Sequence, residues 1–307
     1  MPMSRAKSIA DYHKLYDFSI KNPEEFWLEE GKCLHWSKPY TRACDSSFSP
    51  DNHYIKWFPD GELNVSENCL DRHLASIGDQ AAIIWQGDAP EESKKISFND
   101  LYKEVCKFAN VLKSLGVTKG DRIIIHLPML IETAVVMLAC TRIGAIHSIV
   151  FGGFSPESLA SRIDDCQAKL VITSNVGFRG GKIIPLKENV DQALMLEGTA
   201  CVQNVIIIKR TDDPTTLTSR DAWYHDMMDK ASSICPTESM NAEDPLFILY
   251  TSGSTGKPKG ILHTTGGYLV YTTMTFSHIF ATDPNSVFWC TADIGWIPAI
   301  LMLFMAH

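Results

Sequence analysis

Nine cysteines occur in the 307 residues, but none forms a C-x-x-C pair, and the total is odd. That excludes a disulfide framework and a zinc knuckle, and fits a reducing compartment. The ten histidines show no H-x-x-x-H spacing and no mixed Cys/His cluster, so no protein-bound structural metal is expected. The N-terminus, MPMSRAKSIADYHKLY, has no apolar run and cannot be read as a secretory signal. A mitochondrial address is the weaker reading, because Arg5 and Lys7 are soon followed by Asp11, and the cytoplasm is the expected location.

Positive charge is also scarce. A net charge of -8 and a pI near 5.7 argue against nucleic acid or an anionic membrane as partners, so any basic site must be local. Thr133 to Phe154 is mostly apolar, but Arg142, Gly144 and His147 interrupt it. A buried helix ending at Gly144, followed by a buried strand, is expected there rather than a membrane span.

With 45% hydrophobic residues the chain has enough apolar side chains for a real core. Near the N-terminus, Asn22 and Pro23 read as a helix start with Glu25 answering the cap, and Phe26 and Trp27 facing inward. Aromatics interleaved with Pro, Ser and Asp from Cys33 to Pro59 suggest a meandering layer. Cys69, Leu70, His73 and Leu74 mark an amphipathic helix.

Strands and helices then alternate. Ala81 to Trp85 reads as a short buried strand, Leu101 to Leu115 as a helix closed by Gly116, and Arg122 to Leu127 as a core strand. A helix over Met129 to Ile143 precedes a strand over Ala145 to Phe151. Ser155 and Pro156 cap the next helix, before the strand Lys169 to Thr173. A helix from Leu186 to Met195 and a strand from Asn204 to Lys209 follow. The polar stretch Thr211 to Met240 reads as an excursion around a helix near Asp226. A strand from Pro245 to Tyr250, a helix from Gly267 to Phe280 and a strand from Val287 to Cys290 complete the pattern. The repeated alternation predicts an α/β fold with a doubly wound parallel sheet, whose ligands lie beyond the carboxyl ends of the strands.

The stretch that organises these elements is LYTSGSTGKPKG, Leu249 to Gly260. An apolar strand runs into Thr251, Ser252, Gly253, Ser254, Thr255, Gly256 and Lys257. Glycine lets backbone N–H groups converge on an anion, the hydroxyls add donors, and lysine adds a mobile charge. A polyphosphate is the expected guest. A flexible surface loop is the bland alternative, and a Walker-type loop is disfavoured. Gly253 and Gly256 stand too close for that motif, and Pro258 replaces its magnesium-binding hydroxyl.

Three further segments carry chemistry. Arg179, Gly180, Gly181 and Lys182, with Lys187 nearby, place positive charge on a turn suited to a terminal phosphate; a solvated basic loop is the alternative. Phe151, Gly152, Gly153 and Phe154 would let a ligand approach the backbone, or make a tight turn. Thr291, Asp293, Gly295 and Trp296 follow the last expected strand, and Trp296 reads as a pocket wall or a core residue.

YTSGSTGKPKG resembles the signature of the adenylate-forming acyl-CoA synthetases. LNVSENCLDRH (Leu63 to His73), MLACTRIGAIHSIVFGGFSPESLASRI (Met137 to Ile163), RGGKIIPLK (Arg179 to Lys187), HTTGGYLVY (His263 to Tyr271) and WCTADIGWI (Trp289 to Ile297) are similar to its acetate-activating branch. The resemblance implies a family N-terminal extension over residues 1–64 and part of an AMP-binding large domain over 65–297. It implies an AMP-forming acetate-CoA ligase, with ATP, coenzyme A and acetate as small-molecule substrates and Mg2+ accompanying ATP. A ligase for another short-chain acid such as propionate is the near alternative. Thr251 to Lys257 would hold ATP phosphates, Arg179 to Lys182 the nucleotide end of coenzyme A, and Trp296 would wall the acyl pocket.

The resemblance stops at Ile297, where Pro298, Ala299 and Ile300 stand in place of Thr, Gly and His. Residues 298–307 therefore read as a divergent apolar tail. The family's adenylation lysine has no counterpart, so no catalytic residue is expected within this chain. The competing reading is a truncated, non-catalytic product that at most binds coenzyme A or phosphate. Poor solubility and little activity alone are expected from an exposed sheet edge.

Overall fold

The computed structural model describes residues 6–253, 256–280 and 286–297. Residues 298–307, Ser254 and Thr255 lie outside them. The centre is a seven-stranded sheet made of β1 (Arg122–His126), β2 (Ile146–Ile149), β3 (Leu170–Ser174), β4 (Asn204–Ile208), β5 (Asp221–Trp223), β6 (Pro245–Thr251) and β7 (Lys259–Thr264). Their spatial order is β5-β4-β3-β1-β2-β6-β7. Every adjacent pair is parallel except β6 with β7.

Alternating side chains sort this sheet into two faces. Ile123, Ile125, Leu170, Ile172, Ile206 and Ile208 join one core cluster, while Ile124, Val171, Val205 and Ile207 join the other. The first is covered by α1 (Phe98–Ser114), α2 (Ile131–Arg142) and α6 (Thr265–Thr275), and the second by α3 (Pro156–Cys166) and α4 (Leu186–Ala193). A sixth helix, α5 (Tyr224–Met228), packs on the first face through Tyr224 and Met228. Burial on both faces is why these strands are continuous apolar runs. The sheet is therefore doubly wound, as the alternation predicts.

Local signals account for the helix ends. Ser97 Oγ accepts from Asp100 N and Ser155 Oγ from Ser158 N, each at the start of its helix. Gly116 follows α1 at φ +74°, which lets the chain turn left-handed.

Several expectations are corrected. The strand expected to be buried over Ala81 to Trp85 runs Ala81–Gln86 and is not buried; among the described residues it pairs only with Ser93–Ser97 in a two-stranded hairpin, and its side chains are half-buried or exposed. A short apolar run does not by itself distinguish a central strand from a hairpin packed against the body. Within the central sheet, two strands were not anticipated. β5 is only three residues long and lies in the polar excursion, and β7 follows the glycine-rich loop directly. So short a connection returns the chain antiparallel beside β6, since a parallel partner requires a long crossover. Val287–Cys290 forms no strand, because nothing among the described residues pairs with it.

At the N-terminus, helices run over Ile9–Lys21 and Pro23–Glu30. Asn22 makes no side-chain cap and Glu25 does not answer it; Glu24 instead accepts from the amides of Ala43 and Cys44 at 2.7 and 3.1 Å. Phe26 is buried as expected, and Trp27 is half-buried against the edge of Trp57, with ring centroids 5.6 Å apart. The helix expected around Cys69 breaks at Leu70 into short turns.

Candidate functional site

The glycine-rich loop leaves the carboxyl end of β6 and enters β7, with Thr251 opposite Lys259 and Tyr250 opposite Gly260. Gly253 has φ +58°, and a Cβ there would lie 2.8 Å from the Lys257 carbonyl oxygen, so only glycine fits. Gly256 also needs its left-handed backbone, at φ +81°, but faces open space. Thr251, Ser252 and Lys257 are exposed at the mouth of this loop. The arrangement offers a mobile cation and hydroxyl donors at the sheet end where α/β ligands bind.

The second element is a hairpin of Gly177–Arg179 and Lys182–Ile184 that follows β3. Its turn residues Gly180 and Gly181 both have positive φ, at +54° and +74°. Two left-handed residues make the tight turn whose twist matches its strands. The register sets Lys182 directly opposite Arg179. Like charges in that position repel, so a bound anion would relieve an unfavourable pairing.

The Phe151 to Phe154 segment supports this hairpin. The Arg179 guanidinium lies 4.5 Å from the Phe151 ring centroid, and the Phe151 and Phe154 rings meet edge to face at 5.5 Å. A Cβ on Gly153 would strike the Phe151 ring at 2.5 Å and reach 3.3 Å from Arg179 Nη1. Gly153 is what lets the three groups nest.

Asp293 joins from the last described segment. Burial raises its carboxyl pKa, opposed by the Gly295 amide, which donates to it at 2.9 Å, and by the Arg179 charge. Three of the four candidate segments are thus brought together: the double-glycine turn, the basic hairpin and the Asp293 turn. Trp296 lies beside them, its amide donating to the Asp293 carbonyl, with its side chain 61% exposed.

Lys187 does not belong to the basic site. It is buried and paired with Asp191 and Asp221, with Nζ 3.0 Å from Asp221 Oδ2. Burial of an ammonium requires such partners, and its charge is spent in tying α4 to β5.

Two arginines near the site were not anticipated. Arg210 lies over the rings of Trp85 and Phe178, at 5.5 and 5.6 Å, and so contacts the basic hairpin. Arg162 is buried between Phe154 at 4.7 Å and Tyr250 at 5.3 Å. Its signal was present: it stands on the apolar stripe of α3, among Leu159, Ile163 and Cys166, where a charged residue is out of place. Among the described residues, no group of three or more His, Cys, Asp or Glu could hold a metal ion.

A family model described as AMP-binding enzyme matches residues 70–307, and one described as acetyl-coenzyme A synthetase N-terminus matches residues 12–69. The chain is 59% identical over 287 residues to the acetyl-coenzyme A synthetase of Vibrio cholerae serotype O1, 56% to that of Serratia proteamaculans and 55% to that of Yersinia pestis (strain Pestoides F). Each match covers 93% of this chain and 44% of the relative, so the chain spans less than half the length of these relatives. Among solved structures, acetoacetyl-CoA synthetase from Streptomyces lividans superposes with a TM-score of 0.86 at 23% identity, over 97% of this chain and 44% of that one. At that identity the likeness is one of fold.

Proposed function

The chain belongs to the AMP-binding enzyme family, and from that premise we propose that it carries the phosphate-holding and coenzyme A-holding parts of an AMP-forming acetate-CoA ligase. On this reading residues 1–64 are the family's N-terminal extension and residues 65–297 part of its large domain, with residues 298–307 a tail of divergent sequence, although the family model extends through residue 307. The substrates are ATP, coenzyme A and acetate, and the location is the cytoplasm.

In the reaction, a carboxylate oxygen of acetate attacks the α-phosphorus of ATP and pyrophosphate leaves. The coenzyme A thiol sulfur then attacks the acyl carbon, and AMP departs. Negative charge grows on the departing phosphates, so the work of this chain is positioning and charge stabilisation. Thr251, Ser252, Gly253, Ser254, Thr255, Gly256 and Lys257 hold the ATP phosphates. Mg2+ bound to those phosphates would neutralise further charge. Arg179, Gly180, Gly181 and Lys182 hold the phosphorylated nucleotide end of coenzyme A. Trp296 walls the small acyl pocket. No side chain here serves as a nucleophile, and none is assigned as catalytic.

The observation that carries this reading is the facing pair Arg179 and Lys182 on a turn of two left-handed glycines, braced by Phe151. Calorimetry of the purified chain with coenzyme A and with 3′-dephospho-coenzyme A tests it. Coenzyme A should bind at least about tenfold more tightly, the scale of one charge-assisted hydrogen bond, and Arg179→Ala should remove most of the difference. Equal affinity for the two compounds would refute the assignment of the hairpin. Acetate-dependent exchange between ATP and pyrophosphate, assayed on the same material, measures how much of the reaction this chain performs.

A further inference from the structure

Arg162 joins the two phosphate-holding segments without being exposed to either. Its side chain is buried, with Nη1 donating to the Ser158 carbonyl at 2.6 Å. The guanidinium lies over the ring of Phe154, in the double-glycine turn, and over that of Tyr250, in β6. Tyr250 immediately precedes the loop residue Thr251, and its hydroxyl donates to Asp165 Oδ2 at 2.6 Å. Burial, reinforced by that bond, pushes the phenol pKa far up, keeping the ring neutral. Gly260, opposite Tyr250, leaves room for the ring; a Cβ there would stand 3.2 Å from it.

The contacts form one chain. Arg179 lies on Phe151, Phe151 meets Phe154 edge to face, Phe154 lies on Arg162, and Arg162 lies on Tyr250 at the root of the glycine-rich loop. A planar cation clamped by two rings has little rotational freedom, and desolvation strengthens both contacts. A buried arginine with no carboxylate paired to it among the described residues is costly to retain for packing alone, since an apolar residue would fill the slot on α3 at less cost.

We propose that Arg162 is a positioning residue: it locks the strand end that launches the glycine-rich loop to the turn that braces Arg179, and so fixes the two phosphate-holding segments relative to one another. This deepens the proposed function and rests on it only for the identity of the ligands.

The first test therefore needs no ligand. Amide hydrogen exchange would be followed in the free chain for segments 151–154, 177–184 and 251–260, comparing wild type with Arg162→Gln, Arg162→Lys and Phe154→Leu. Phe154 is partly exposed, so its replacement removes one ring of the clamp with little threat to folding. Arg162→Gln should accelerate exchange in all three segments together by about thirtyfold, the scale of one desolvated cation–π contact. Phe154→Leu should give a smaller change of the same pattern, and Arg162→Lys an intermediate one, since lysine keeps the charge but not the plane. Faster exchange confined to α3, or spread evenly over the molecule, would overturn the proposal, because either pattern marks a structural arginine.

A second measurement separates this proposal from the function it rests on. Affinities for pyrophosphate and for coenzyme A should both fall several-fold in Arg162→Gln, whereas a purely structural residue would lower the melting temperature and leave the affinity of folded protein unchanged. Wild-type chain that binds neither probe would overturn the ligand assignment, and the exchange pattern would still decide the role of Arg162.

Discussion

Arg142 and Asp71 face one another as a two-pronged pair, with Nη1 and Nη2 at 2.8 and 2.9 Å from the two carboxylate oxygens. Arg142 ends α2 and is 2% exposed, and its Nε also donates to the Cys235 carbonyl at 2.6 Å. The pair bolts the short helical turns around Asp71 to the end of α2. Nearby, Asn64 Nδ2 donates to the carbonyls of Thr141, Arg142 and Glu238, closing the end of the same helix. Removing one partner leaves the other charge buried without compensation. Asp71→Ala should therefore cost about 3 kcal/mol in urea unfolding, and Asp71→Asn less, since it keeps an acceptor. A cost below about 1 kcal/mol would mean that the pair behaves as a surface contact.

Two histidines in the central strands make stability depend on pH. Burial depresses the pKa of His147 to about 3 and that of His126 to about 4, the latter resisted by a hydrogen bond from Nδ1 to the Val150 carbonyl. Above the ordinary histidine value of 6.5 both states are neutral and no penalty exists. As pH falls below 6.5 the unfolded chain takes up protons that the native chain refuses, so stability declines until the folded values are reached. While one such group is protonated only when unfolded, the slope is about 1.4 kcal/mol per pH unit. Urea midpoints between pH 7.5 and 4.5 should fall accordingly, and His126→Gln should flatten the curve by about one group's share. The carboxylates whose pKa values are lowered, such as Asp121, act only below this range. An unchanged midpoint across the range would contradict neutral burial.

Much of this architecture was legible because the strands buried on both faces are long and apolar, and because Ser97, Ser155 and Gly116 mark helix ends by chemistry that depends on nothing distant. What was missed depends on distant partners. β5 and β7 exist through their neighbours in the sheet, and Ala81 to Trp85 reads as buried because an apolar run does not state what it packs against. The Arg179 hairpin was readable from its two glycines. Lys187 was misread because, beside Asp191 one turn away, it is held by Asp221, which lies 34 positions along the chain, and Arg162 was overlooked because its two rings come from separate segments.

The two loop glycines should not be equivalent. At Gly253 a methyl group would meet both an unfavourable backbone angle and the Lys257 carbonyl oxygen at 2.8 Å, while at Gly256 only the backbone angle resists. Gly256→Ala should cost about 1 kcal/mol and leave the loop's course intact. Gly253→Ala must shift backbone and should weaken pyrophosphate binding far more. Equal losses in calorimetric titration would show that the Gly253 contact does not set the loop's shape.

The sheet edge sets how the chain behaves in solution. Among the described residues β7 pairs only with β6, and its Ile261 and Leu262 are 45% and 51% exposed. A strand with one free row of N–H and C=O groups and apolar side chains is a template for pairing with another copy. Light scattering should therefore show association that grows with protein concentration. Ile261→Lys places a charge on the edge and should suppress it without lowering the melting temperature, because that side chain is largely outside the core. Association that persists unchanged in this variant would shift the cause to another surface, with the exposed Ile9, Tyr12, Tyr16 and Ile20 of the first helix the next to replace.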